Sequence, residues 1–183
     1  MRLFVAIDLD ESLKPEITKL QNCLKGYSGI KLVEPENLHL TLKFLGEVQE
    51  FKLNDIKKIL SLIEFEKFVI NLKGLGFFPS EKRPRVVWIG VTRGEEKVRK
   101  LAELINNELA RLGFKKEKDF KSHITIARIK RFSGEIKLKV LDLLKTFGDK
   151  DFGEMMVENF KLKRSILKTT GPVYYDLALF NLK

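Results

Sequence analysis

One order of elements occurs twice in this chain of 183 residues: a strand, an amphipathic helix, a strand reading His-apolar-Thr-apolar, a second helix and a further strand. The two His-x-Thr segments, His39-Leu40-Thr41-Leu42 and His123-Ile124-Thr125-Ile126, lie 84 residues apart and hold both histidines of the chain. Leu3 precedes His39 by 36 residues and Val86 precedes His123 by 37, so the repeats keep step from opening strand to histidine. That period is too long for a solenoid and suits a duplicated lobe. Two lobes related by an approximate twofold axis can bring the two motif strands to face each other across a cleft. The expected organisation is a single bilobal domain over 1–183, with approximate halves 1–83 and 84–163 and a C-terminal strand segment, 164–183.

Local patterns place the elements. Arg2 to Leu9 reads as a strand, and Asp10-Glu11-Ser12 with Pro15 opens a helix to about Lys25 with Ile17, Leu20 and Leu24 inward. After the His39 strand, a helix from Asn54 or Asp55 buries Ile56, Ile59, Leu60 and Ile63, and Phe68 to Leu72 is a strand. Gly74 to Pro84 reads as a loop. The second repeat has a strand at Arg85 to Val91, a helix at Glu95 to Leu112, the His123 strand, a helix at Glu135 to Phe147 and a strand at about Phe152 to Lys163. Val173 to Phe180 adds a strand with no equivalent in the first half.

Strand periodicity gives the two motifs their chemistry. Alternation puts His39 and Thr41 on one face and Leu40 and Leu42 on the other, and the second motif repeats this. Two imidazoles that titrate near neutrality are what an acid and base pair requires, and threonine hydroxyls can donate to phosphate oxygens. Either histidine alone is an ordinary strand residue, and threonine is common in strands; matched contexts in a duplicated unit favour the catalytic reading. A phosphoryl group also needs its charge offset. Lys43 has the parity of His39 and Thr41, with a solvated lysine as the alternative reading. Arg128, five residues after His123, has the wrong parity for a regular strand and serves only if the strand bulges, twists or ends.

Composition narrows the classes. A formal charge of +10 favours anionic partners, nucleic acid or an acidic membrane surface. No apolar run approaches a spanning helix, and the expectation is a cytoplasmic protein without membrane association. Cys23, the one cysteine, allows no intrachain disulfide, and with two histidines no metal site is expected. Phe77, Phe78 and Trp88 read as core packing, with base stacking beside Lys82, Arg83 and Arg85 as the alternative. Lys115, Lys116, Lys118 and Lys121 contact backbone phosphates or solubilise a turn.

The segments His39 to Gly46 and Ser122 to Arg128 resemble the paired motifs of the two-histidine phosphoesterase superfamily, in its RNA 2',3'-cyclic phosphodiesterase (2'-5' RNA ligase) branch. The resemblance extends to Arg2 to Ile7, Gly76 to Pro79, Pro84 to Trp88, Ser165 and Gly171 to Leu182. It implies an α+β fold of two pseudo-symmetric lobes around a central cleft, each an antiparallel β-sheet with helices on its outer face, and hydrolysis of a terminal 2',3'-cyclic phosphate on RNA to a 2'-phosphomonoester, without metal or cofactor. It also implies His123 as proton acceptor, His39 as proton donor, Thr41 and Thr125 on the phosphate oxygens and Arg128 offsetting charge. RNA with a cyclic end, tRNA fragments included, is the expected partner, a monomer suffices, and reversible 2'-5' ligation can accompany hydrolysis. The competing readings are a phosphodiesterase for 2'-5' oligonucleotides or small cyclic nucleotides, and a basic RNA-binding protein without turnover.

Overall fold

The computed structural model describes residues 1–169 and 171–183. Its strands and helices follow in the order β1 (Arg2–Asp8), α1 (Lys14–Asn22), β2 (Ile30–Leu32), β3 (His39–Glu47), α2 (Leu53–Ser61), β4 (Phe68–Phe78), β5 (Val86–Val91), α3 (Glu95–Ala110), β6 (His123–Ile129), α4 (Gly134–Phe147), β7 (Asp151–Val157), β8 (Asn159–Lys168) and β9 (Gly171–Asn181). Helix starts carry local signals. Pro15 lies in the first turn of α1, and the Ser133 hydroxyl accepts the Ile136 N–H at 3.3 Å to cap α4. In α3, Val98, Leu101, Ile105 and Leu109 are buried along one stripe, as the helical period requires.

All strands pair antiparallel in the path β7-β4-β5-β6-β3-β1-β8-β9, with β2 also on β6. The lobes meet edge to edge where β3 joins β6 through one register pair, Leu40 with Ile124. Both are fully buried and belong to the core that takes in the inward faces of all four helices. The helices therefore occupy the sheet face opposite the histidines.

Strands cross between the repeats. β4 follows α2 in sequence yet lies between β5 and β7, and β8 lies between β1 and β9. The single strand expected from Phe152 to Lys163 is two strands that sit near opposite ends of the path. β9 on β8 matches β7 on β4, so the C-terminal strand has a counterpart after all. Alternation fixes which face a residue takes and is silent about which strand lies alongside. The expected Gly74 to Pro84 loop is also shorter, because β4 continues to Phe78 past an irregularity between Leu72 and Leu75.

Candidate active site

The two motif strands share one defect. Along β3, Ala6 pairs with Thr41 and Val5 with Lys43, so Leu42 is an extra residue; along β6, Trp88 pairs with Thr125 and Val87 with Ala127, so Ile126 is extra. A bulge of one residue reverses the parity of everything after it. Leu42 and Lys43 both turn inward, as do Ile126 and Ala127. Arg128 thereby returns to the face of His123 and Thr125, and its side chain is exposed there. Lys43 is carried the other way. It is 1% exposed, with Nζ donating to Asn106 Oδ1 at 2.6 Å and to the Lys115 carbonyl at 2.9 Å. Neither sequence reading of Lys43 holds, since it is neither on the site face nor solvated.

Antiparallel register around Leu40 and Ile124 sets His39 across from Thr125 and Thr41 across from His123. The imidazoles are held alike. His39 Nδ1 lies 2.7 Å from the Asn37 carbonyl and His123 Nδ1 lies 2.7 Å from the Lys121 carbonyl. A carbonyl oxygen only accepts, so each Nδ1 carries the proton and each Nε2 is the free nitrogen of the neutral ring. The Thr41 hydroxyl donates to His39 Nε2 at 3.0 Å. Burial pushes His39 down from an ordinary 6.5 to about 4; the Asn37 carbonyl opposes this, Lys163 and Arg128 reinforce it, and Asp8 opposes it. His123 is also lowered, first by burial, against the pull of the Lys121 carbonyl and with the help of the Lys121 and Arg128 charges. One guanidinium thus acts on both rings.

The surroundings are not symmetric. His39 sits against Phe4 (ring centroids 5.1 Å apart) and edge-on to Tyr174 (5.3 Å). Asp8 is its strand partner, in an ionic ring with Lys161, Lys163 and Asp176 whose contacts run from 2.6 to 2.8 Å. Burial raises the Tyr174 phenol, with Arg128 and Arg2 opposing. His123 sits edge-on to Phe78 (5.0 Å) and near Trp88 (6.1 Å), and Lys121 Nζ lies 4.6 Å from the Trp88 ring centroid. The indole crosses Gly76, where a Cβ would come within 2.1 Å of the ring. Phe78 and Trp88 therefore flank the site, whereas Phe77 is in the core.

Sequence reasoning singled out all five of His39, Thr41, His123, Thr125 and Arg128, and the two bulged strands carry them to one face. It missed the ionic ring and Tyr174, because each comes from a strand whose neighbour the sequence does not announce. Among the described residues no group of three His, Cys, Asp or Glu side chains is placed to hold a metal ion. No helix among them is long and apolar enough to cross a membrane.

Two His-x-Thr strands joined at the centre of a duplicated α+β sheet define a two-histidine phosphoesterase. The family model of LigT-like phosphoesterases matches twice, at residues 7–88 and 89–174, and the chain belongs to that family. An Archaeoglobus fulgidus protein named RNA 2',3'-cyclic phosphodiesterase is 47% identical over 180 residues, covering 98% of this chain and 99% of that one. A crystal structure of a Thermus thermophilus protein superimposes with a TM-score of 0.83 at 35% identity, covering 99% and 97% of the two chains. Escherichia coli LigT in complex with 3'-AMP gives 0.81 at 27% identity, covering 99% and 97%.

Proposed function

We propose that this chain hydrolyses the terminal 2',3'-cyclic phosphate of RNA to a 2'-phosphomonoester, with His123 as proton acceptor and His39 as proton donor. The observation that carries the reading is the matched Nδ1 contact of the two imidazoles, which leaves each Nε2 unprotonated on the sheet face that also bears Thr41 and Thr125. The substrate follows from the name of the 47% identical relative and from the ribonucleotide bound by the LigT neighbour.

His123 Nε2 takes a proton from water as the water oxygen bonds to phosphorus. The bond from phosphorus to the 3'-oxygen breaks, His39 Nε2–H supplies the proton to that oxygen, and the 2'-oxygen stays on phosphorus. Thr41 and Thr125 donate to the non-bridging oxygens, and Arg128 opposes the charge that builds on them. With a pKa of about 4, His39 is neutral at pH 7 on its own. A phosphate anion beside it favours the imidazolium, so the donor gains its proton together with the substrate. As that proton arrives on Nε2, the Thr41 hydroxyl is released to the phosphate. The order of the two histidines rests on the family resemblance. An RNA 5'-hydroxyl in the place of water makes the same site a 2'-5' ligase. Neither metal nor cofactor enters this scheme, and both histidines come from one chain, so a cytoplasmic monomer is the simplest functional form. RNA fragments with cyclic ends, those of tRNA among them, are the substrates it predicts.

The test is a defined RNA with a 2',3'-cyclic phosphate end, incubated with chelator. Conversion to the 2'-phosphate end supports the reading. A 3'-phosphate product, binding without conversion, or activity lost to chelator overturns it. A substrate with sulfur at the bridging 3' position tests the roles, because a thiolate leaves without a proton. His39→Ala then retains most of its rate on that substrate, and His123→Ala remains slow.

A further inference from the structure

Arg128 is the first of a series of cations leading away from the histidines. Lys130 lies two residues further along the same strand direction and Arg131 follows, and Arg85 joins them where its carbonyl accepts the Ile129 N–H at 2.9 Å. The side chains of Arg85, Arg128, Lys130 and Arg131 are all exposed. Among the described residues none of the four lies within ion-pair distance of a carboxylate, whereas cations on and beside α3 are matched with glutamates. Arg93 pairs with Glu154 at 3.1 Å, Lys97 with Glu66 at 2.9 Å and Lys100 with Glu96 at 2.8 Å. Four cations without an ion pair therefore gather at this end of β6, while those on and beside the helix are neutralised by ion pairing.

The strand end is also held in place. The Gly29 carbonyl accepts the N–H of Lys130 at 2.7 Å and that of Arg131 at 3.3 Å. Gly29 has φ of +92°, and a Cβ there would come within 2.8 Å of the Arg131 Cβ and carbonyl, so only glycine lets this loop close on the strand. Arg128 and Lys130 are about 7 Å apart at the ordinary strand rise, the scale of one extended nucleotide step. A row of unpaired, exposed cations that starts at the phosphate site and continues along a fixed backbone suits a second and third phosphate of the same strand.

We propose that Arg85, Lys130 and Arg131 form the track for the phosphodiester backbone of the RNA upstream of its cyclic end. This rests on the function proposed above, with Arg128 at the point where track and reaction site meet. The track binds by charge and does not read sequence. Its contribution grows with RNA length and falls with salt, by about 0.7 in the log–log slope for each single-strand phosphate contacted.

The experiment compares the triple variant Arg85→Ala, Lys130→Ala, Arg131→Ala with the natural sequence on two substrates, a nucleoside 2',3'-cyclic monophosphate and an RNA of about ten nucleotides with the same end. The expected result is unchanged kcat/KM on the mononucleotide and at least a tenfold loss on the RNA, mostly in KM, with a salt slope shallower by about 2. Equal loss on both substrates, or none on the RNA, overturns the track. Fluorescence anisotropy with the same RNA reads the track independently of turnover: weakened binding by the triple variant supports it and unchanged binding overturns it. If the natural sequence binds this RNA and hydrolyses neither substrate, the proposed function fails and the binding comparison still decides the track.

Discussion

Phe44 and Arg128 occupy the same position in the two repeats, each five residues after its histidine and two after a bulged residue. One is a ring 57% exposed and the other a cation. The Nδ1 contacts of the two imidazoles are nearly twofold symmetric, while the arginine proposed to meet the phosphate comes from one repeat only. The proposed mechanism therefore has two sources of asymmetry to orient the phosphate, this arginine and the different surroundings of the two rings.

Replacing Arg128 by methionine is therefore expected to lower kcat/KM by about 10²- to 10³-fold, the usual cost of losing one charge-stabilising donor. The same variant raises the pKa of both imidazoles, because the Arg128 charge helps hold each one down. The chain has two histidines, so two resonances in an NMR titration check this directly. Loss of rate without movement of either resonance contradicts an arginine facing the pair.

The low pKa of His39 also ties stability to pH. Between its ordinary 6.5 and about 4 the unfolded chain takes up a proton that the folded chain refuses. Stability to unfolding therefore falls as pH drops through that window and gains nothing from this residue above 6.5. His39→Gln removes the effect, and its Tm changes less between pH 7 and pH 4.5 than that of the natural sequence. Parallel Tm curves for the two proteins refute the assignment.

The sequence carried the duplication, the strands, the inward set Leu40, Leu42, Ile124 and Ile126, and the outward set His39, Thr41, His123 and Thr125, because each depends only on local period. It could not place Lys43 or Arg128, since a bulge is set by the register with the neighbouring strand and leaves no mark in the alternation. For the same reason the ionic ring was invisible: Asp8, Lys161 and Asp176 meet only once β8 has crossed to β1. Phe78 and Trp88 show a third cause. An aromatic residue on a half-buried strand reads equally as core or as rim until the opposite position, here Gly76, is known to be open.

Lys43 marks where the bulge matters for stability. Its ammonium ties β3 to Asn106 and to the Lys115 carbonyl, and Asn106 in turn accepts the Glu117 N–H at 3.1 Å. That loop leads directly to Lys121 and His123. Lys43→Ala removes a buried side chain together with its hydrogen bonds to Asn106 and the Lys115 carbonyl, and is expected to cost about 3 kcal/mol of unfolding free energy. Amide exchange in residues 115–121 rises with it. Denaturant unfolding and exchange on one variant check both parts, and a neutral effect shows that the buried lysine is not the tie between strand and loop.

Trp88 gives the site its own reporter, as the one tryptophan of the chain. Its Nε1 is buried and makes no hydrogen bond, so the indole is placed by the opening at Gly76 and by Lys121 above the ring. Gly76→Ala puts a methyl group where the ring lies and must displace it, which removes the aromatic wall beside His123 and leaves both imidazoles bonded to their carbonyls. The expected outcome is a shifted emission maximum, a roughly tenfold lower kcat/KM for the cyclic phosphate, about 1.4 kcal/mol, and a pH–rate profile of unchanged shape. Lys121→Ala, which keeps Gly76, shifts the emission less. Since phosphate chemistry and ring position are read separately, a Gly76→Ala variant with displaced fluorescence and full activity would show that the Trp88 wall takes no part in holding the substrate.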